Sequence, residues 1–112
     1  MEPAALTALS GTGEPLSSAH LTDGRTVAID ALYLTPHSRL NSPLAERLGC
    51  ALDKGPLGPV IRVDAAKMTT VLDVHGAGDI ARAPHSVSWA AADGATTGMS
   101  VHQALAFASL AT

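Results

Sequence analysis

Pro84 closes off the most tempting reading of this sequence. It falls eight residues after Gly76 in the stretch Val71–Ser86, VLDVHGAGDIARAPHS. Within it, GAGDIA fits the glycine pattern G-x-G-x-x-A, and an alternating apolar run precedes it. A phosphate-binding turn of that kind needs strand, turn and helix, then a second parallel strand ending in an acidic residue about 20 positions on. Pro84 would lie in the second turn of that helix, where proline removes a backbone donor and clashes with the preceding turn. No strand pattern follows the long helical run beyond it, and Asp93 lies inside that run. The glycines therefore end a strand and open a loop, and the helix starts only near His85, Ser86 and Val87.

That helix is expected to run to about Ala108. Ala90, Gly94 and Gly98 recur at i, i+4 and i+8, a stripe of small residues on one face. Glycine inside a helix costs roughly 1 kcal/mol relative to alanine. Two on one stripe imply that another segment comes close to this backbone. Asp93, set among alanines, reads as a solvated or locally bonded residue.

Upstream, the punctuation predicts a β-meander over residues 1–36. Ala4–Ser10 and Leu16–Leu21 read as strands separated by the turn signal Gly11–Pro15. Asp23 and Gly24 supply a tight hairpin turn. Arg25–Pro36 then reads as a third strand that Pro36 stops. Ser42 as N-cap, Pro43 in the first turn, Glu46 early and Gly49 at the stop predict a short helix. Asp53–Pro59 is expected to be a loop, Val60–Asp64 a short strand and Thr69–His75 another.

Charge and composition exclude several classes of function. A net charge of -3 with seven scattered basic residues offers no stripe for nucleic acid. Five histidines show no metal-ligand spacing, and Cys50 is the only cysteine, so neither an internal disulfide nor C-x-x-C is possible. Cys50 reads as a buried thiol. His85 and Ser86 are adjacent, but no G-x-S-x-G elbow surrounds them. The longest apolar stretch carries Asp93, His102 and Gln103, too polar for a membrane span. With no leader pattern at Met1, the expectation is a soluble, cytoplasmic protein.

Gly78 and Asp79 are the first candidate site residues. Glycine at a strand end lets a ligand approach the backbone, and Asp79 would project into the crevice where open α/β sheets bind ligands. A carboxylate there accepts hydrogen bonds from ribose or polyol hydroxyls. Free amides at the start of the following helix, near His85, Ser86 and Val87, favour partial negative charge.

The segment TTVLDVHGAGDIARAPHSVSWAAADGATTG resembles the C-terminal flavin-binding segment of thioredoxin-reductase-like FAD/NAD(P)H oxidoreductases. Thr69, Thr70, Val71 and Val74 match that family's motif, as do Ala77, Gly78 and Asp79. The meander resembles the end of an NAD(P)H-binding domain, and residues 37–112 resemble the C-terminal part of an FAD-binding domain. The resemblance implies an α/β, partial Rossmann-like fold in which Gly78, Asp79, His85, Ser86 and Val87 contribute to an FAD site. It implies that Asp79 bonds the ribityl or phosphate region and that the amides near Ser86 and Val87 face the flavin's pyrimidine edge. The departures are Leu72 and Asp73 for Pro-Gly, His75 for an aromatic or aliphatic residue, and His85-Ser86 for Arg-Gln.

The sequence thus predicts a C-terminal part or subunit of a flavin-dependent NAD(P)H oxidoreductase, inactive alone because the G-x-G-x-x-G motifs and C-x-x-C are absent. The partner would be a complementary chain carrying the N-terminal FAD-binding half, or a second copy. The alternative is a non-catalytic remnant or small interaction domain without cofactor.

Overall fold

In a computed structural model, residues 3–12 and 16–108 are described. The chain divides into two units, residues 1–35 and 36–112.

The first unit is the meander. β1 (Leu6–Ser10), β2 (Ser18–Leu21) and β3 (Thr26–Ala28) form an antiparallel sheet in sequence order. Period-two alternation sets its faces: Ala19 and Leu21 are buried, while Ser18 and His20 on the opposite face are half-buried. Asp23 and Gly24 make the β2–β3 turn, with Gly24 N–H donating to Leu21 O at 3.0 Å. Asp23 also accepts from the Arg25 backbone and side chain. β3 is much shorter than the third strand expected, since Ile29–Pro36 makes no ladder. The expected Gly11–Pro15 turn lies partly outside the described residues.

The second unit begins with helix α1 (Leu44–Arg47). Ser42 Oγ accepts from Leu44 N–H at 3.2 Å, satisfying one of the donors a helix start leaves free. Gly49 then ends the turn with a left-handed backbone, φ +82°. The chain continues into a hairpin of β4 (Leu52–Gly55) and β5 (Gly58–Ile61). Asp53–Pro59, expected as a loop, is therefore mostly strand, and its Pro56-Leu57 pair is the hairpin turn. Arg62 and Asp53 pair across this hairpin.

Thr69–His75 is not a strand. Only the bridges Val63↔Thr69 and Met68↔His75 remain of it. Thr69 Oγ1 accepts from Val71 N–H at 3.1 Å, Asp73 has φ +62°, and Val74 N–H returns to Val71 O at 3.2 Å. The hydroxyl offers the backbone a local turn in place of a ladder.

Ala45, Cys50 and Ile61 form the buried centre, with Leu40, Leu52, Val63, Val71 and Val74 around it. Cys50 is a free, buried thiol beside Thr69 Oγ1. Helix α2 (Val87–Ala108) completes the unit, at the bounds expected from Ser86 and the uninterrupted run after it. No helix of the described residues is long and apolar enough to cross a membrane.

Candidate functional site

Gly78–Ala81 forms a single 3₁₀ turn where the chain leaves the core toward α2. Gly78 is buried with φ +76°, and a β-carbon built there would sit 3.5 Å from the Ala90 β-carbon. Glycine therefore serves a left-handed turn pressed onto the first turn of α2. Asp79 follows on the exposed side of that turn.

The turn is tied to α2 by a charge cluster absent from the sequence reading. Asp93 is 3% exposed, so the expectation of a solvated or locally bonded residue is corrected. Arg82 grips its carboxylate with two bonds, Nε to Oδ2 at 2.7 Å and a terminal nitrogen to Oδ1 at 3.0 Å. Lys67 Nζ lies 2.8 Å from Oδ1. The Arg82 guanidinium also lies 5.2 Å from the centroid of the Trp89 ring, at cation–π distance. Hydrogen bonds first from Arg82 and then from Lys67 pull the Asp93 pKa down to about 2, and Asp93 in turn raises that of Arg82. A bidentate Arg–carboxylate fork fixes orientation as well as distance. It holds the backbone three residues beyond Asp79 against α2.

Of the five candidate site residues, the structure brings two to one cleft. Asp79 and His85 line a cleft of about 160 Å³ whose other wall includes Ser38, Arg39 and Gly58. Gly78 packs against Ala90 and is not among the residues that line the cleft. Ser86 is half-buried, and its carbonyl accepts from Ala90 N–H at 2.9 Å. The Val87 side chain is 89% exposed and is absent from the cleft lining. Arg39 and Ser38 are cleft residues that sequence reasoning missed, because they sit in a stretch without periodicity or motif.

The small-residue stripe also needs correction. Ala90 meets Gly78, but a β-carbon on Gly94 or Gly98 would meet nothing within 4 Å among the described residues. The close approach expected there is not made among the described residues.

Elsewhere, His20 bridges three strands of the meander's polar face. Its ring bonds Ser10 Oγ at 2.6 Å and Thr26 Oγ1 at 3.0 Å. No group of three His, Cys, Asp or Glu side chains among the described residues is placed to hold a metal.

Comparison with solved structures matches nearly the whole chain to one part of larger enzymes. An oxidoreductase from Agrobacterium tumefaciens is 34% identical over 95% of this chain and 35% of its own length, with a TM-score of 0.75. A thioredoxin reductase from Gloeobacter violaceus is 22% identical over 94% of this chain and 34% of its own, with a TM-score of 0.45. The chain thus spans about a third of the length of each. No protein-family model matches the chain, and no curated protein matches it.

Proposed function

We propose that this chain, which matches about a third of an oxidoreductase from A. tumefaciens, supplies part of the flavin site of an FAD-dependent NAD(P)H oxidoreductase of thioredoxin-reductase-like type. In this reading residues 1–36 are the end of the NAD(P)H-binding domain and residues 37–112 the C-terminal part of the FAD-binding domain. The observation that carries it is the convergence of Asp79 and His85 on one cleft opposite Arg39.

The cleft suits a stretch of FAD and not the whole molecule. Sites for drug-sized ligands run to roughly 300–1,000 Å³, well above the 160 Å³ found here. Its donor set fits a polyol–diphosphate chain: the Asp79 carboxylate accepts from hydroxyls, and the Arg39 guanidinium offers a cation to phosphate oxygens. The amides at the start of α2, near Ser86 and Val87, complement negative charge. Bound FAD would supply acceptance of a hydride from NAD(P)H and its onward delivery to an acceptor. The chain's own residues bind and orient, and the Arg82–Asp93 fork keeps Asp79 where it is.

Asp79→Ala is the test. A hydrogen bond to a charged group contributes about 1.5–3 kcal/mol, so the variant should bind FAD roughly 10- to 100-fold more weakly. The comparison is made by flavin fluorescence on this chain together with a polypeptide carrying the remaining two thirds of the enzyme. Unchanged affinity, with unchanged thermal unfolding of the variant, would remove Asp79 from the site. Tight stoichiometric FAD binding by this chain alone would contradict a partial site. A second reading, an interaction domain without cofactor, draws on the exposed apolar residues Val87, Met99, Leu105 and Phe107 of α2. A stable FAD-free oligomer that the complementary polypeptide does not dissociate would favour it.

A further inference from the structure

The polar face of the meander gathers a serine, a histidine and a threonine that the flavin reading leaves unused. Residues paired directly across antiparallel strands share a face. His20 is paired with Ala8 on β1 and Thr26 on β3, and Ser18 with Ser10 and Ala28. His20 is thus the one large side chain among these paired residues, and the rest are alanine, serine or threonine. Ser10 and Thr26 are exposed and His20 is half-buried, so the imidazole stands on a face open to reagents.

Two contacts order the three polar groups in a line. Ser10 lies diagonal to His20, and its Oγ is 2.6 Å from Nε2. Thr26, directly opposite, puts its Oγ1 3.0 Å from Nδ1. A neutral imidazole has one N–H donor and one acceptor nitrogen. With Nδ1–H donating to Thr26 Oγ1, the Nε2 lone pair is left to accept from the Ser10 hydroxyl. A hydroxyl within about 2.6–3.2 Å of a base that a third group orients is the arrangement that activates serine as a nucleophile.

We propose that Ser10 is an acylation site, a hydroxyl that His20 as general base makes reactive toward small activated esters such as thioesters and aryl esters. Ser10 O–H gives its proton to His20 Nε2 as Oγ attacks the acyl carbon. The tetrahedral adduct then collapses, the bond to the thiolate or phenolate breaks, and the leaving group takes that proton from Nε2. An Oγ–acyl bond replaces the Oγ–H bond, with no oxidation or reduction. Thr26 acts as a positioning residue that holds the reactive tautomer. A sheet face of short side chains gives little wall to grip a substrate, which is why the acyl donor must be small and already activated. The site lies wholly within the meander and is independent of flavin binding.

The test treats the full chain with p-nitrophenyl acetate and follows acetylation of each serine by peptide mass mapping. Ser18, the direct neighbour, and Ser17, which is also exposed, serve as internal references. General-base assistance contributes roughly 10²–10⁴-fold. On an open face the lower end applies, and Ser10 should react about 100-fold faster than either reference. His20→Ala should bring Ser10 down to the reference rate, and added free imidazole should restore it. That rescue distinguishes a base from a cross-strand strut even where the variant loosens the sheet. Thr26→Val should slow Ser10 several-fold while the thermal midpoint stays close to that of the wild type. Ser10 reacting no faster than Ser17 and Ser18 would overturn the proposal, as would an undiminished rate in His20→Ala. Nitrophenol release that persists unchanged in Ser10→Ala would also overturn it, by making the imidazole itself the nucleophile.

Discussion

Replacing Asp93 by alanine is expected to lower the midpoint of thermal unfolding by roughly 10 °C or more, since removing one member of a buried ionic cluster strands the others. Asp93 is the shared acceptor of Arg82 and Lys67, whose side chains are themselves largely covered. Without it, two cations remain against the first turns of α2 with no counter-charge, and the Gly78–Arg82 segment loses its tether. Asp93→Asn separates charge from shape. Its amide keeps the volume and one acceptor oxygen, so it should fall between alanine and the wild type. The pH dependence carries a definite sign. The folded-state pKa of about 2 lies below the unfolded value near 3.9, so Asp93 stabilises the native state fully above about pH 5. That contribution declines as pH falls and is gone below about pH 2. The gap in unfolding midpoint between wild type and Asp93→Asn should therefore narrow steadily from pH 5 to pH 2. A gap that stays constant across that range would show the cluster to be electrostatically idle.

The contrast between Asp93 and its surroundings explains what the sequence could and could not disclose. Local chemistry was legible. The Asp23-Gly24 turn, the Ser42–Gly49 helix and the start of α2 at Val87 are each set by residues within a few positions of the feature. Features that depend on distant partners were not. An aspartate amid alanines reads as solvated until Arg82, eleven residues away, and Lys67 are folded onto it. The β4–β5 hairpin was hidden because Pro56, Gly55 and Gly58 advertise a loop, while the strands flanking them are only four residues each. Thr69–His75 had the composition of a strand, yet one hydroxyl bond and a left-handed Asp73 turned it back on itself.

The candidate site shows the same division. Gly78 and Asp79 stood out through their motif, and the structure puts them where the chain turns onto α2. Arg39 and Ser38 reach the cleft from a segment with no regular structure, so no periodicity announced them. The stripe of Ala90, Gly94 and Gly98 was read as a place of close approach. Ala90 makes that approach to Gly78, while a β-carbon at Gly94 or Gly98 would meet nothing within 4 Å among the described residues.

Gly58→Ala should be comparably severe, for a wholly different reason. Gly58 opens β5 with φ +143°, a backbone conformation that L-residues rarely adopt. A β-carbon there would fall onto the backbone carbonyl of Ser38. Ser38 is backbone tied to the hairpin turn through its N–H bond to Leu57 O, so relieving the overlap has to move main chain and not a flexible side chain. Backbone strain of about 1–3 kcal/mol adds to an overpacking cost of similar size. We expect a loss of about 3 kcal/mol or more, on the order of 10–20 °C in Tm for a unit of this size. The cleft responds as well, since Gly58 and Ser38 form its wall opposite Asp79 and His85. A partner substitution exposes the mechanism. Gly94→Ala places the same methyl group in open space within a helix, where it should stabilise by up to about 1 kcal/mol. Opposite signs from one chemical change, read in a single pair of thermal melts, separate contact from propensity. A midpoint for Gly58→Ala within 2 °C of the wild type, on the order of 0.5 kcal/mol or less, would mean that the hairpin does not press against Ser38.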